Sequence, residues 1–79
     1  MSEVVLYGKP GCCLCDDARR ALVDAAIAFR EVDITTDPGL LNEFGIVIPV
    51  VEVDGYQVFE AGMNPSDLAQ LVGEADRGP

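Results

Sequence analysis

The chain has no histidine and no tryptophan among its 79 residues, and only five lysines and arginines against 14 aspartates and glutamates. Without histidine, no Cys-His dyad, Ser-His-Asp triad or His-containing zinc site can form within the chain. Any nucleophile must therefore be activated by backbone dipoles and local charge. A formal charge of −9 repels phosphate backbones and anionic lipid surfaces, which argues against nucleic-acid and membrane binding. Acidity of this size reads first as a solubility device and second as a docking surface for a basic partner. Cysteine is scarce too: Cys12, Cys13 and Cys15 are crowded together and cannot form the spread-out disulfide framework of a small secreted domain. Met1-Ser2-Glu3 runs straight into a short apolar strand, with neither a basic n-region nor an apolar h-region of signal-peptide length, which predicts a cytoplasmic location.

What is present suits one small folded domain with a single sheet and helices over it. Val4-Val5-Leu6-Tyr7, ended by Gly8, reads as a short buried central strand. From Cys13 the pattern becomes helical, with Ala18, Ala21, Leu22, Ala25 and Ala26 on one stripe. Phe29 to Ile34 alternates as a second strand, and strand–helix–strand order favours a parallel pair with a right-handed crossover. Asp37-Pro38 opens a short helix that Gly45 stops. Val50–Val53 and Tyr56–Phe59 flank Asp54-Gly55, the dipeptide of a two-residue hairpin turn. Asn64-Pro65-Ser66-Asp67 opens a last amphipathic helix through Leu68, Leu71 and Val72, ended near Gly73. The order is βαβαββα: an α/β fold with a mixed four-stranded sheet flanked by helices on both faces. One domain spans residues 1–73, and 74–79 is expected to be a frayed, disordered tail.

The chemistry concentrates at the strand-to-helix turn Lys9-Pro10-Gly11-Cys12-Cys13-Leu14-Cys15. Cys12 and Cys15, three apart at a helix start, project toward one side, and Cys13 is turned away. A helix N-terminus, with its unpaired N–H groups and positive dipole end, stabilises a thiolate, and the first cysteine gains most. Asp16 and Asp17 oppose this, and Arg19 and Arg20 lie within reach of Asp16 to blunt the opposition. Read without chemistry, the cysteines would be small buried hydrophobes. The residues alone leave Pro49 either a cis proline or a plain strand-initiating one.

This order, with Lys9-Pro10-Gly11-Cys12-Cys13-Leu14-Cys15 near the N-terminus and Ile48-Pro49-Val50 before the hairpin, resembles the glutaredoxin branch of the thioredoxin-fold family over nearly the whole chain. Cys12-Cys13-Leu14-Cys15-Asp16 is similar to the active-site sequence of small C-x-L-C glutaredoxin-like proteins, more than to the Cys-Pro-Tyr-Cys of well-studied glutaredoxins. The resemblance implies that Cys12 attacks and Cys15 resolves. It also implies that Pro49 is cis and lies against the cysteine pair, that the Ile48 backbone pairs with bound substrate, and that Lys9 holds a carboxylate of glutathione. Lys9 read alone is equally a cation near the thiol or a solvated surface lysine. Gly62 stands where glutaredoxins place paired glycines, but the second glycine is absent, and Leu14 replaces a tyrosine. The electron donor is accordingly glutathione or thioredoxin reductase.

The resemblance therefore implies a dithiol-disulfide oxidoreductase that reduces protein or glutathione mixed disulfides, acts as a monomer and holds no tightly bound cofactor or metal. The expected catalytic pair is Cys12 and Cys15, with Lys9, Leu14, Ile48, Pro49 and Gly62 binding substrate. The alternative is a carrier of a soft metal or an iron–sulfur cluster using Cys12, Cys13 and Cys15. Carriers of that kind run βαββαβ, however, and one chain offers no fourth thiol. Cys13 reads as inert in disulfide exchange, or as a third thiol for metal or alternative oxidation.

Overall fold

The computed structural model describes residues 3–77. Strands β1 (Val4–Gly8), β2 (Arg30–Asp33), β3 (Val50–Val53) and β4 (Tyr56–Phe59) form one sheet in the order β2-β1-β3-β4. Helices α1 (Cys13–Asp24), α2 (Pro38–Phe44) and α3 (Leu68–Arg77) cover it. The β1–β2 pair is parallel, and β1–β3 and β3–β4 are antiparallel. The sheet is thus mixed, as the element order predicts. Among the described residues, no helix is long and apolar enough to cross a membrane.

β1 lies inside the sheet, so both of its faces must be apolar. Val4 and Leu6 join Val51, Val53 and Phe59 under α1 and α3, where Ala18, Leu22, Leu68 and Val72 complete the larger core. Tyr7 points the other way, toward a smaller core of Ile34, Phe44, Ile48 and Val50 beneath α2. Its ring stacks on Phe44 at 4.8 Å between centroids and its hydroxyl donates to Glu52 at 3.2 Å. Helices therefore occupy both faces. The local signals hold: Asp37 accepts the N–H groups of Gly39 and Leu40 at 2.8 and 3.4 Å, and Asp54 and Gly55 have φ of 53° and 87°, the double positive φ of a tight hairpin turn.

Four boundaries differ from the sequence expectation. The second strand is only Arg30–Asp33, because Asp33 caps a single 3-10 turn (Ile34–Thr36) that swings Ile34 fully into the smaller core. Asn64 caps another such turn, Pro65–Asp67, before α3 begins at Leu68. Helix α3 does not stop at Gly73 but runs to Arg77, since Ala75 continues the stripe that packs on the larger core; residues 74–77 are helix and not a frayed tail, and 78–79 lie outside the described residues. Helix α1 ends before Ala25 and Ala26, which the stripe had included. Ala26 takes φ 58°, its N–H bonds Val23 O, and Ile27 N–H reaches back to Leu22 O. This is a Schellman ending with alanine where glycine is favoured. Ala26→Gly should therefore stabilise the domain by about 1 kcal/mol, read as a higher urea midpoint with unchanged m-value.

Candidate active site

The turn between β1 and α1 places the cysteines. Gly11, at φ 77°, lets the chain leave Lys9-Pro10 and enter the helix, and Cys12 stands at the N-cap in extended conformation (φ −92°, ψ 111°). Its Sγ accepts the N–H of Cys15 at 3.2 Å, and its carbonyl accepts the first helical bond from Asp16 at 3.1 Å. Sulfur here fills the role that a Ser or Asp oxygen usually plays at an N-cap. Cys12 is half-buried, Cys13 exposed and Cys15 fully buried, and all three are free thiols. Cys15 sits in the smaller core against the end of β1. A Cβ on Gly8 would lie 3.0 Å from its Sγ and 3.2 Å from its Cβ, so only glycine leaves the sulfur its place. Burial pushes the Cys15 thiol up to about 11, and its hydrogen bond with the Cys12 sulfur pushes the same way; the Lys9 backbone N–H and the Arg19 charge pull weakly against them.

Beside the pair, the Ile48–Pro49 bond is cis and both residues are buried. The Ala61 N–H donates to Val47 O at 3.0 Å, tying the loop after β4 to the segment before β3. Leu14, Pro49, Phe59, Gly62, Met63 and Pro65 then line a small cleft of about 20 Å³. Three of the expected binding residues, Leu14, Pro49 and Gly62, are thereby brought together. Ile48 turns its side chain into the core with Cys15, Phe44 and Val50.

Residues 3–73 match the family model of the Glutaredoxin-like domain. The chain belongs to this family. The X-ray structure of the structural-genomics target XcR50 from X. campestris superposes on the glutaredoxin-like domain with a TM-score of 0.75 at 30% identity, over 96% of this chain and 99% of that one. A variant of the thioredoxin-like protein BC3987 gives 0.68 at 27% identity, over 89% and 99%. Glutaredoxin from Brucella melitensis gives 0.58 at 23% identity, over 96% and 80%, a likeness of fold. Among curated proteins, none matches the chain.

Lys9 stands apart from the cleft of the glutaredoxin-like domain. It lines a separate pocket of about 280 Å³ with Gly8, Pro10, Arg19, Glu31 and Asp33. Arg19 bonds Asp16, as the spacing suggests, and also holds both oxygens of Glu31 at 2.6 and 2.7 Å. That two-point bond holds the Glu31 carboxyl below the usual carboxylate range. Sequence reasoning missed Glu31, because the contact joins α1 to β2, and missed Met63, whose only signal was its place beside Gly62. Arg20 does not reach Asp16 in an ion pair; it lines a groove with Asp17 and Asp24. Among the described residues, no group of three or more Cys, Asp or Glu side chains converges to hold a metal: Cys15 faces inward while Cys13 faces out.

Two outcomes follow for the cysteines. Cys15 is held neutral in the folded protein, so stability contributed by its burial is present below the ordinary thiol value near 9 and is lost as pH rises toward about 11. Urea titrations of reduced protein should show a loss on the order of 2 kcal/mol across that window, and Cys15→Ala should remove that part of the slope, leaving the smaller part due to the Tyr7 hydroxyl, which burial and Glu52 also push up. Gly8→Ala should displace the buried sulfur, so that iodoacetamide at neutral pH, which spares Cys15 in the parent, labels it in the variant by mass spectrometry.

Proposed function

We propose that this glutaredoxin-like domain is a dithiol-disulfide oxidoreductase that reduces protein or glutathione mixed disulfides through Cys12 and Cys15. One observation carries the reading: a half-buried sulfur at a helix N-cap, accepting a backbone N–H, with a second thiol fully buried behind it. The Cys12 thiolate attacks one sulfur of a substrate disulfide. The other substrate sulfur leaves as a thiolate and takes up a proton, and Cys12 is left in a mixed disulfide. Cys15 then gives up its proton and attacks Cys12 Sγ, which releases the second substrate thiol and closes the Cys12–Cys15 bridge. The substrate gains two electrons and the two cysteines lose them.

The causes of the raised Cys15 value bear on the second step. Burial first, and then the hydrogen bond with Cys12 and any negative charge that Cys12 carries, hold Cys15 protonated, while the Lys9 amide and Arg19 favour its thiolate. Once Cys12 is tied in a mixed disulfide, its charge is gone and one of the influences that hold Cys15 protonated goes with it, while burial, the largest, remains until the substrate exchange is complete. The bridge is then reopened by glutathione or by thioredoxin reductase, and no tightly bound cofactor enters the cycle. A monomer in a reducing, cytoplasmic setting suits a bridge that must reopen. Pro49 lies in the cleft wall, and the Ile48 backbone next to it, in the irregular segment that leads into β3, is the backbone offered to an extended substrate.

The test is reduction of a disulfide substrate with each reductant in turn. Cys12→Ser should bring the rate to the uncatalysed level. Cys15→Ser should accumulate a mixed disulfide on Cys12, seen by mass, and Cys13→Ser should leave turnover largely intact. Stoichiometric metal on the purified protein, removed by chelators, with no disulfide reduction, would instead favour the carrier reading.

A further inference from the structure

We infer that the substrate of this site is a polypeptide disulfide with an apolar residue beside its cysteine and basic residues just beyond, rather than glutathione. The inference rests on the dithiol reading and adds to it a substrate class.

The ground around Leu14, two residues on from Cys12, is apolar. Leu14 and Met63, 54% and 41% exposed, are two of the few large hydrophobic side chains left open to solvent among the described residues. Both line the small cleft whose wall includes Pro49 and Gly62. Apolar side chains held open in this way gain by being covered, roughly 25 cal/mol for each Å² removed from water. A cleft of about 20 Å³ is too small to enclose a ligand, so what covers it must lie across it, as an extended chain does.

The ground beyond is acidic. Pro65 also lines the broader groove between α1 and the turn before α3, a space of about 580 Å³. Two carboxylates, Asp17 and Asp24, face the single guanidinium of Arg20 there, with Asn64 and Ser66 as neutral partners. The whole chain carries −9, so the far field has the same sign as the groove and draws cationic segments toward it.

Glutathione meets the opposite situation. It carries two carboxylates and one ammonium, and needs uncompensated cations. Arg19 is already bonded to Glu31 and Asp16. Lys9 shares its pocket with Arg19, Glu31 and Asp33, two positive groups against two negative. Arg30 lies 3.6 Å from Glu3. Neither the cleft nor the groove therefore presents a net positive charge to an anionic tripeptide.

The chemistry is the exchange described above, with the peptide disulfide taking the two electrons and leaving as two thiols while the Cys12–Cys15 bridge closes. The experiment compares three disulfides at low ionic strength. One is a peptide with its cysteine followed by leucine and two lysines, joined to a small neutral thiol; the second is its twin with two glutamates; the third is glutathione disulfide. The lysine peptide should be reduced with kcat/KM about tenfold above its glutamate twin, a gap that closes at about 0.5 M salt. Glutathione disulfide should be the slowest of the three. Leu14→Ser and Met63→Ser should each lower kcat/KM for the lysine peptide about fivefold, and Val23→Ser, an exposed residue at the far end of α1, should not. Equal rates for the two peptides, or glutathione disulfide reduced as fast as the lysine peptide, would overturn the substrate class while leaving the dithiol reading standing. No reduction of any of the three would overturn both.

Discussion

The hydrogen bond from the Cys15 N–H to Cys12 Sγ, 3.2 Å long, sets the geometry on which the rest of the site depends. It closes the first turn of α1, fixes Cys12 in the extended conformation of an N-cap, and ties the position of one sulfur to the backbone of the residue that bears the other. An oxygen would cap the helix more strongly, because sulfur is a weak acceptor when neutral. The same bond strengthens when the acceptor carries charge. The turn thus gives up some helix stability in the resting thiol in return for a donor already aimed where negative charge develops. Asp16, in the first turn, favours the helix but adds unwanted negative charge beside the sulfur. Arg19 takes up that charge and is itself anchored to β2 through Glu31.

The buried partner depends on the sheet. Cys15 belongs to α1 by sequence yet packs in the smaller core, with Ile34, Phe44, Ile48 and Val50, because α1 begins where β1 ends and its first turn overhangs that end of the strand. Gly8 makes the overhang possible. The last residue of β1 has no side chain, and the space it leaves is the space Cys15 Sγ fills. The cis Ile48–Pro49 segment and the loop held by the Ala61–Val47 bond approach the same end of the sheet. The site is therefore assembled at the end of the two central strands, where three connections meet, and burial of one thiol beside an accessible one follows from that convergence.

Where the sequence was legible, the controlling interaction was local. Asp37 before Pro38, Asp54-Gly55 between two apolar runs, and a C-x-x-C at a strand-to-helix change each satisfy their own backbone within a few residues, so the residue types predict the turn. The illegible parts are tertiary. Gly73 carries a helix-stopping preference of about 1 kcal/mol, and the packing of Ala75 on the core outweighs it. Ala26 has no preference for positive φ, yet it takes that conformation because Leu22 and Ile27 must both reach the core on either side of the bend. Glu31 lies on a strand whose faces the alternation alone could not assign, and its role emerges only when α1 is laid against β2. The division of the expected binding residues has the same origin: Leu14, Pro49 and Gly62 meet in one cleft while Lys9 falls in another pocket.

Weak recognition is what the proposed dithiol exchange would require. In the exchange proposed, substrate would be held covalently at Cys12 for part of each cycle, and the bond that ends the attachment would form between the chain's own two sulfurs. Binding energy spent on the reduced product would only slow its departure. Half-exposed Leu14 and Met63, and carboxylates facing open solvent in a groove, supply contacts worth a fraction of a kcal/mol to about 1 kcal/mol each. In the proposed exchange that would be enough to bias which disulfide reaches Cys12 and too little to retain it afterwards. The acidity of the chain acts in the same direction, since long-range attraction raises the encounter rate without adding contacts that must be broken on release. A deep, fully complementary pocket beside the cysteines would select better and turn over worse, and a shallow apolar cleft that shares Pro65 with an acidic groove would suit the exchange proposed.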